Sequence, residues 1–144
     1  MKILVDTNVI LDILLRRQEF VLDSQTALEM AITQGDRLFF SSSSVTDVYY
    51  LIRKQTGDKT VALNAIKQMA EFLTFAEVDG NCILAATFSK LNDYEDAVVD
   101  AVASNVKANY ILTRNAGDFK NANNKAIDPF TFVRNYESLN KSIL

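Results

Sequence analysis

The chain opens with three apolar residues, Ile3-Leu4-Val5, that run directly into Asp6-Thr7-Asn8. So short a wholly apolar run suits a strand buried on both faces, as in parallel sheets covered by helices above and below. Such a strand needs a layer on each side, and the rest of the sequence supplies them. Leu38-Phe39-Phe40, Thr74 to Val78, Tyr110-Ile111-Leu112 and Ala126-Ile127 read as further strands. Helical patterns fill the intervals: Val9 to Leu14, Leu22 to Gln34, Ser44 to Gln55, Asp58 to Leu73, Ile83 to Leu91 and Asn92 to Val106. Thr7 or Asn8 is expected to cap the first helix. Gly35 and Gly57 are expected to end the second and third, and Pro129 suits the first turn of a C-terminal helix. Strands alternating with helices predict an α/β sandwich of three layers around a mainly parallel sheet.

No segment has the composition of a linker and no repeat is visible, so residues 1–144 read as one domain. Hydrophobic residues make up 49% of the chain, enough for a core, and the net charge is −3. That balance argues against a protein that coats nucleic acid through bulk charge, while leaving room for a local basic rim around an acidic pocket. Lys2 and Asp6 enclose too few apolar residues for a signal peptide. No apolar run approaches the ~18 residues that span a bilayer. A soluble cytoplasmic protein with no membrane association is the expectation.

Histidine is absent. This removes Ser-His-Asp and Cys-His catalysis, histidine-pair ribonuclease chemistry and every zinc site that needs a histidine. Cys82 is the one cysteine, and its apolar neighbours mark it as a core thiol. For a hydrolase, carboxylates and metal ions are the natural remaining machinery.

The acids fall where an α/β sheet binds its ligands, at the carboxyl ends of the strands. Asp6 ends the first strand, and Asp118 lies in the turn after Tyr110-Ile111-Leu112. Asp47 lies in the first turns of the helix after Phe40. Asp96 and Asp100, four residues apart, share a helix face. Each has an ordinary alternative: Asp6 as a helix cap, Asp47 as a polar residue on a half-buried helix, Asp96 as an acid favoured by the helix dipole, Asp118 as a loop acid. Together they form a set that repels itself unless a cation enters or some members stay protonated. Oxygen-only ligands suit Mg²⁺ or Mn²⁺ rather than zinc.

In these same stretches the chain resembles the PIN-domain family. Ile3-Leu4-Val5-Asp6-Thr7-Asn8-Val9-Ile10-Leu11 is similar to the opening of PIN domains. Phe40-Ser41 through Asp47 looks like their second motif, Tyr94-Glu95-Asp96-Ala97 the third, and Leu112-Thr113-Arg114-Asn115-Ala116-Gly117-Asp118-Phe119 the fourth. The likeness covers roughly residues 2 to 135. It implies a PIN-like sandwich and a magnesium- or manganese-dependent ribonuclease, often dimeric, with many small bacterial members being VapC-type toxins held inactive by an antitoxin. Asp6, Asp96 and Asp118 would be metal carboxylates, with Thr7 and Asn8 organising the first. Thr113 and Asn115 would orient water and carboxylates. Ser44 and Asp47 stand where the second motif usually has Thr and Glu, so Asp47 would reach a metal through water, and the extra acid Asp100 would compensate as a further ligand.

Arg114, beside the fourth motif, is the expected RNA contact, with Arg16-Arg17 and Arg53-Lys54 as further basic pairs and Tyr49 and Tyr50 as candidate stacking rings. Apolar residues of the Ser44 to Leu73 helical pair, including Val61, Ile66 and Met69, suggest a dimer surface. A haloacid-dehalogenase phosphatase would need Asp two residues after Asp6, where Asn8 stands, and a receiver domain fits the order of acids poorly. The reading from a different class is a PIN scaffold with impaired metal binding that acts as an RNA- or protein-binding module.

Overall fold

The computed structural model describes residues 1–144. Five strands form one sheet: β1 (Lys2–Val5), β2 (Arg37–Ser41), β3 (Thr74–Ala76), β4 (Tyr110–Leu112) and β5 (Ala126–Ile127). Their spatial order is β3-β2-β1-β4-β5, and every neighbouring pair is parallel. Seven helices flank them: α1 (Thr7–Leu14), α2 (Val21–Thr33), α3 (Val45–Thr56), α4 (Lys59–Phe72), α5 (Gly80–Thr87), α6 (Tyr94–Val106) and α7 (Pro129–Ser142). The result is the three-layer α/β sandwich that the opening strand demands.

Alternation along each strand divides the core in two. Ile3 and Val5, Leu38 and Phe40, and Tyr110 and Leu112 point to one face. There they meet apolar residues of α1, α2, α3, α4 and α7, among them Val9, Leu28, Val48, Met69 and Phe132. Leu4, Phe39 and Ile111 point to the other face, against Cys82 and Ala86 of α5 and Val98, Val99 and Val102 of α6. Each central strand therefore buries side chains on both sides, and no periodic polar face appears in it.

The connections explain where a ligand can bind. From β1 the chain adds β2 and then β3 in one direction, with α1 to α4 on one face. It then crosses the other face through α5 and α6, passes over β1, and places β4 and β5 on the far side. The order reverses between β1 and β4. Outside the carboxyl ends of those two strands the loops diverge and leave a crevice.

Several details differ from the sequence expectation. The serine run forms a 3-10 turn over Ser42–Ser44, with Ser41 and Ser43 hydroxyls 2.7 Å apart, and Ser44 is buried at the start of α3. Helix α5 begins earlier than expected, because Asp79 accepts the Cys82 N–H at 2.9 Å and caps it. Met69 is wholly buried between α4 and the sheet, which removes it from any surface that could join two copies, whereas Val61 and Leu63 stay exposed. No helix is long and apolar enough to cross a membrane.

Candidate functional site

Asp6 is the first residue beyond β1, and its N–H donates to the Leu112 carbonyl of β4 at 2.9 Å. Its Oδ1 accepts the Thr7 N–H at 2.8 Å, so Asp6 itself, not Thr7 or Asn8, caps α1. Its Oδ2 accepts from the Thr113 hydroxyl at 2.8 Å and from the Asn8 amide at 3.3 Å. The same Asn8 amide reaches Thr113 Oγ1 at 3.3 Å, and the Asn8 carbonyl oxygen accepts the Arg114 N–H at 3.1 Å. Thr113 Oγ1 also accepts the Asn115 N–H at 3.1 Å. The ends of β1 and β4 are thus laced together around one carboxylate.

Helix α6 brings the other acids. Asp93 caps it by accepting the Asp96 N–H at 3.0 Å, which sets Glu95 and Asp96 in the first turn, where the helix dipole favours negative charge. Asp118 lies in the 3-10 turn Ala116–Phe119 that follows β4. Asp93, Asp96 and Asp118 line one cavity of about 390 Å³, and Lys90 and Lys120 line it too.

Crowding shows in the acidities. Burial, followed by the charges of Asp6, Asp93, Asp118 and Glu95, pushes the Asp96 carboxyl up to about 7. Burial raises Asp6 as well, opposed by its hydrogen bonds from Thr113 and Thr7. Glu95 is raised by burial and then by Asp47, Asp6 and Asp93. Asp47, exposed in the first turn of α3, is thus near enough for its charge to bear on Glu95.

A hard divalent cation suits this donor set. All the candidate ligands are oxygen, and a cation would relieve their mutual repulsion. The buried Thr7 hydroxyl next to Asp6 has no hydrogen-bond partner. No three acidic side chains lie close enough together here to hold a metal ion among them.

Residues 2–117 match the PIN-domain family. The chain belongs to that family. Its fold is similar to VapBC2 from Rickettsia felis, described as bound to a DNA fragment from their promoter, with a TM-score of 0.71 and 12% identity over 89% of this chain and 98% of that one. It is also similar to FitAB bound to an IR36 DNA fragment, with a TM-score of 0.64 and 20% identity over 89% of this chain and 95% of that one. No curated protein sequence matches it. PIN domains are generally nucleases and typically use divalent metal ions.

Within this PIN domain two of the expected site residues have structural partners of their own. Asp100 is bonded to the loop after Phe119. It is 2% exposed, its Oδ2 accepts the Asn123 N–H at 2.9 Å, and its Oδ1 accepts the Asn124 N–H at 3.0 Å and side-chain amide at 2.8 Å. Amide donors thus occupy both oxygens of this carboxylate.

Arg114 is likewise engaged within the chain. Its Nε donates to Asp12 at 2.7 Å, and its guanidinium lies 3.8 Å from the centre of the Phe20 ring. Asp12, fully buried in α1, also accepts from Ser24 Oγ at 3.0 Å and pairs with Arg17 at 3.4 Å. These contacts lock the fourth motif onto α1 from behind. The signal was visible as one acid inside Val9-Ile10-Leu11-Asp12-Ile13-Leu14, but a single charge in an apolar stripe does not name its partner. Asp93, Lys90 and Lys120 also escaped the sequence reading, since only the meeting of α6 with the turn after β4 unites them.

Asp12→Ala should lower folding stability by on the order of 2–4 kcal/mol, somewhat below a fully buried pair because Arg114 keeps some solvent. Urea unfolding in the presence of chelator measures it, and a loss under about 0.5 kcal/mol, the size of a surface change, would remove Asp12 from the framework.

The raised pKa of Asp96 has a definite sign. The folded metal-free protein holds this proton more tightly than the unfolded chain, whose carboxyl titrates near 3.8. Its contribution to stability is complete below that value and is lost as pH rises through about 7. In chelator, Asp96→Asn should therefore melt higher than wild type at pH 8, and the gap should close toward pH 4. Parallel melting curves with no pH-dependent gap would contradict the crowding of acids around Asp96.

Proposed function

We propose that this PIN domain is a metal-dependent endoribonuclease that cuts single-stranded RNA, with Mg²⁺ or Mn²⁺ held by Asp6, Asp96 and Asp118. The observation that carries the reading is that Asp96 and Asp118 share one cavity and that the charges of Asp6, Asp93 and Glu95 bear on Asp96 as well. Asp47 contributes from the α3 side, through water. A bound cation supplies charge neutralisation at the phosphoryl oxygens and a more acidic attacking water.

The chain's own residues do the rest. Thr113 and Asn8 fix the orientation of the Asp6 carboxylate, the kind of support that metal ligands depend on. Asn115, through its N–H on Thr113, holds that hydroxyl in place. Lys90 and Lys120, in the wall of the carboxylate cavity, attract the RNA phosphates. Local lysines of this kind serve a chain of net charge −3 better than bulk charge would.

The VapBC2 and FitAB relatives are two-component complexes on DNA, which supports a cognate antitoxin as partner and a cytoplasmic toxin–antitoxin role. An apolar groove of about 330 Å³, lined by Ile13, Val21, Leu28, Ile32 and Phe72, gives an apolar segment of that partner a place to bury itself. Homodimerisation is part of the same reading, with exposed Val61 and Leu63 of α4 available for it.

The alternative, a PIN scaffold that binds RNA or protein without cutting, draws on the absence of three acids close enough together to hold a metal ion. Purified protein with RNA and Mn²⁺ separates the two. Cleavage is expected, to be abolished by chelator, and reduced by at least about a hundredfold in Asp6→Asn, which keeps the shape but loses the charge. Cleavage that survives full chelation would sink the metal mechanism. Calorimetry that finds no Mn²⁺ binding would favour the non-cutting scaffold.

Light scattering at micromolar concentration should give a dimer mass for wild type and a monomer for Val61→Asp. A monomer in both would rule out the dimer.

A further inference from the structure

A second cavity, of about 610 Å³, opens beside the carboxylates, between α5, α6 and the loop after Phe119. Lys90 and Asn121 stand in the walls of both, so the two adjoin. Its lining is unusual for a protein surface. Asn81, Asn105, Asn121 and Asn123 all face it, and so does Phe88.

An amide offers two donors and an acceptor, which suits the mixed donor and acceptor edge of a nucleobase. Asn105 uses one N–H on Cys82 Sγ at 2.9 Å, which leaves a second donor and its carbonyl oxygen. Phe88 is 87% exposed, an aromatic ring left in water at the mouth of a polar cavity. Rings so placed are the usual platforms for stacking a base.

Asp100 is what stiffens the asparagine wall. Besides the bonds already described, the Asn124 amide reaches the Asp100 carbonyl at 2.9 Å and Ser104 Oγ at 2.8 Å. A surface loop of three asparagines would otherwise be free to move. Tied to a buried carboxylate it is preorganised, so a ligand meets less ordering entropy on binding. Lys90 enters no ion pair within the protein and stands at the junction of the two cavities.

We propose that this cavity is a nucleobase subsite. A base of single-stranded RNA next to the scissile phosphate stacks on Phe88 and is hydrogen-bonded by the asparagine wall, while Lys90 takes the phosphate between. The identity of the substrate rests on the nuclease reading above. The binding step does not require cutting and is tested apart from it.

The test is a titration of the metal-free wild-type protein with the four 5′-nucleoside monophosphates at millimolar concentration, followed by NMR of the side-chain amides. The resonances of Asn81, Asn105, Asn121 and Asn123 should shift with at least one nucleotide and stay still with ribose 5-phosphate. Phe88→Ala, a change at an exposed position, should weaken that binding by about tenfold, the size expected for one stacked base. The same variant should retain Mn²⁺ affinity and alter the bases found beside the cut. No shift with any nucleotide, or equal shifts with ribose 5-phosphate, would overturn the subsite. Cleavage without nucleotide binding would sink the subsite alone, whereas nucleotide binding without cleavage would uphold it and sink the nuclease reading.

Discussion

Mutual repulsion among carboxylates at the end of β1 is the constraint on which the rest of this structure depends. Asp6, Asp93, Glu95 and Asp96 come from two elements that the sheet order forces together, and Asp118 joins them from the turn after β4. Burial and like charge both disfavour ionisation, which is why Asp96 titrates only near neutrality. The fold tolerates this in part because two of the acids are also held by the backbone or by a neighbour. Asp6 and Asp93 cap helices, and Thr113 and Asn8 bind Asp6 from the side. Local hydrogen bonds keep those two acids in place, and the long-range fields of the set leave a need for positive charge.

Acids elsewhere in the chain show the opposite solution. Asp12 is buried more deeply than Asp6, yet Arg114, Arg17 and Ser24 answer it. Asp100 is nearly as buried and is answered by amides of Asn123 and Asn124. Asp36 takes the N-terminal amine and the Tyr136 hydroxyl, binding α7 to the start of β1. What separates these structural acids from Asp96 is the company each keeps: donors around the former, other carboxylates around the latter. Burial alone does not distinguish them.

The same contrast accounts for Arg114 and Asp100. Arg114 is next to Thr113 in sequence, but its side chain turns back to α1, where Asp12 and the Phe20 ring satisfy both its charge and its flat face. Its field still reaches Asp6 and lowers that carboxyl slightly against the burial that raises it. Asp100 lies one helical turn beyond Asp96, on the same side of α6 to a first approximation. The turn carries it under the asparagine loop, so its partners change over a single pitch of helix.

Much of this was legible in the sequence, because the relevant physics is local. An apolar triplet ending in Asp-Thr-Asn specifies a buried strand, a turn and a helix start. The alternation of such segments specifies a parallel sandwich, and the absence of histidine narrows the chemistry to carboxylates. The sequence also marked Asp96 and Asp118, through spacing and resemblance to PIN motifs, and these two line one cavity. What only the tertiary structure decided was which charges meet. Asp12 and Arg114 are 102 residues apart and bond at 2.7 Å. Asp100 and Asn124 are 24 apart and bond at 2.8 Å. Lys90 and Lys120 share a wall with Asp96 and Asp118 only because α6 crosses behind β1 and β4. Periodicity and capping act over one or two turns of chain, whereas Coulomb forces and hydrogen bonds act between whichever groups the packed layers bring within a few ångströms.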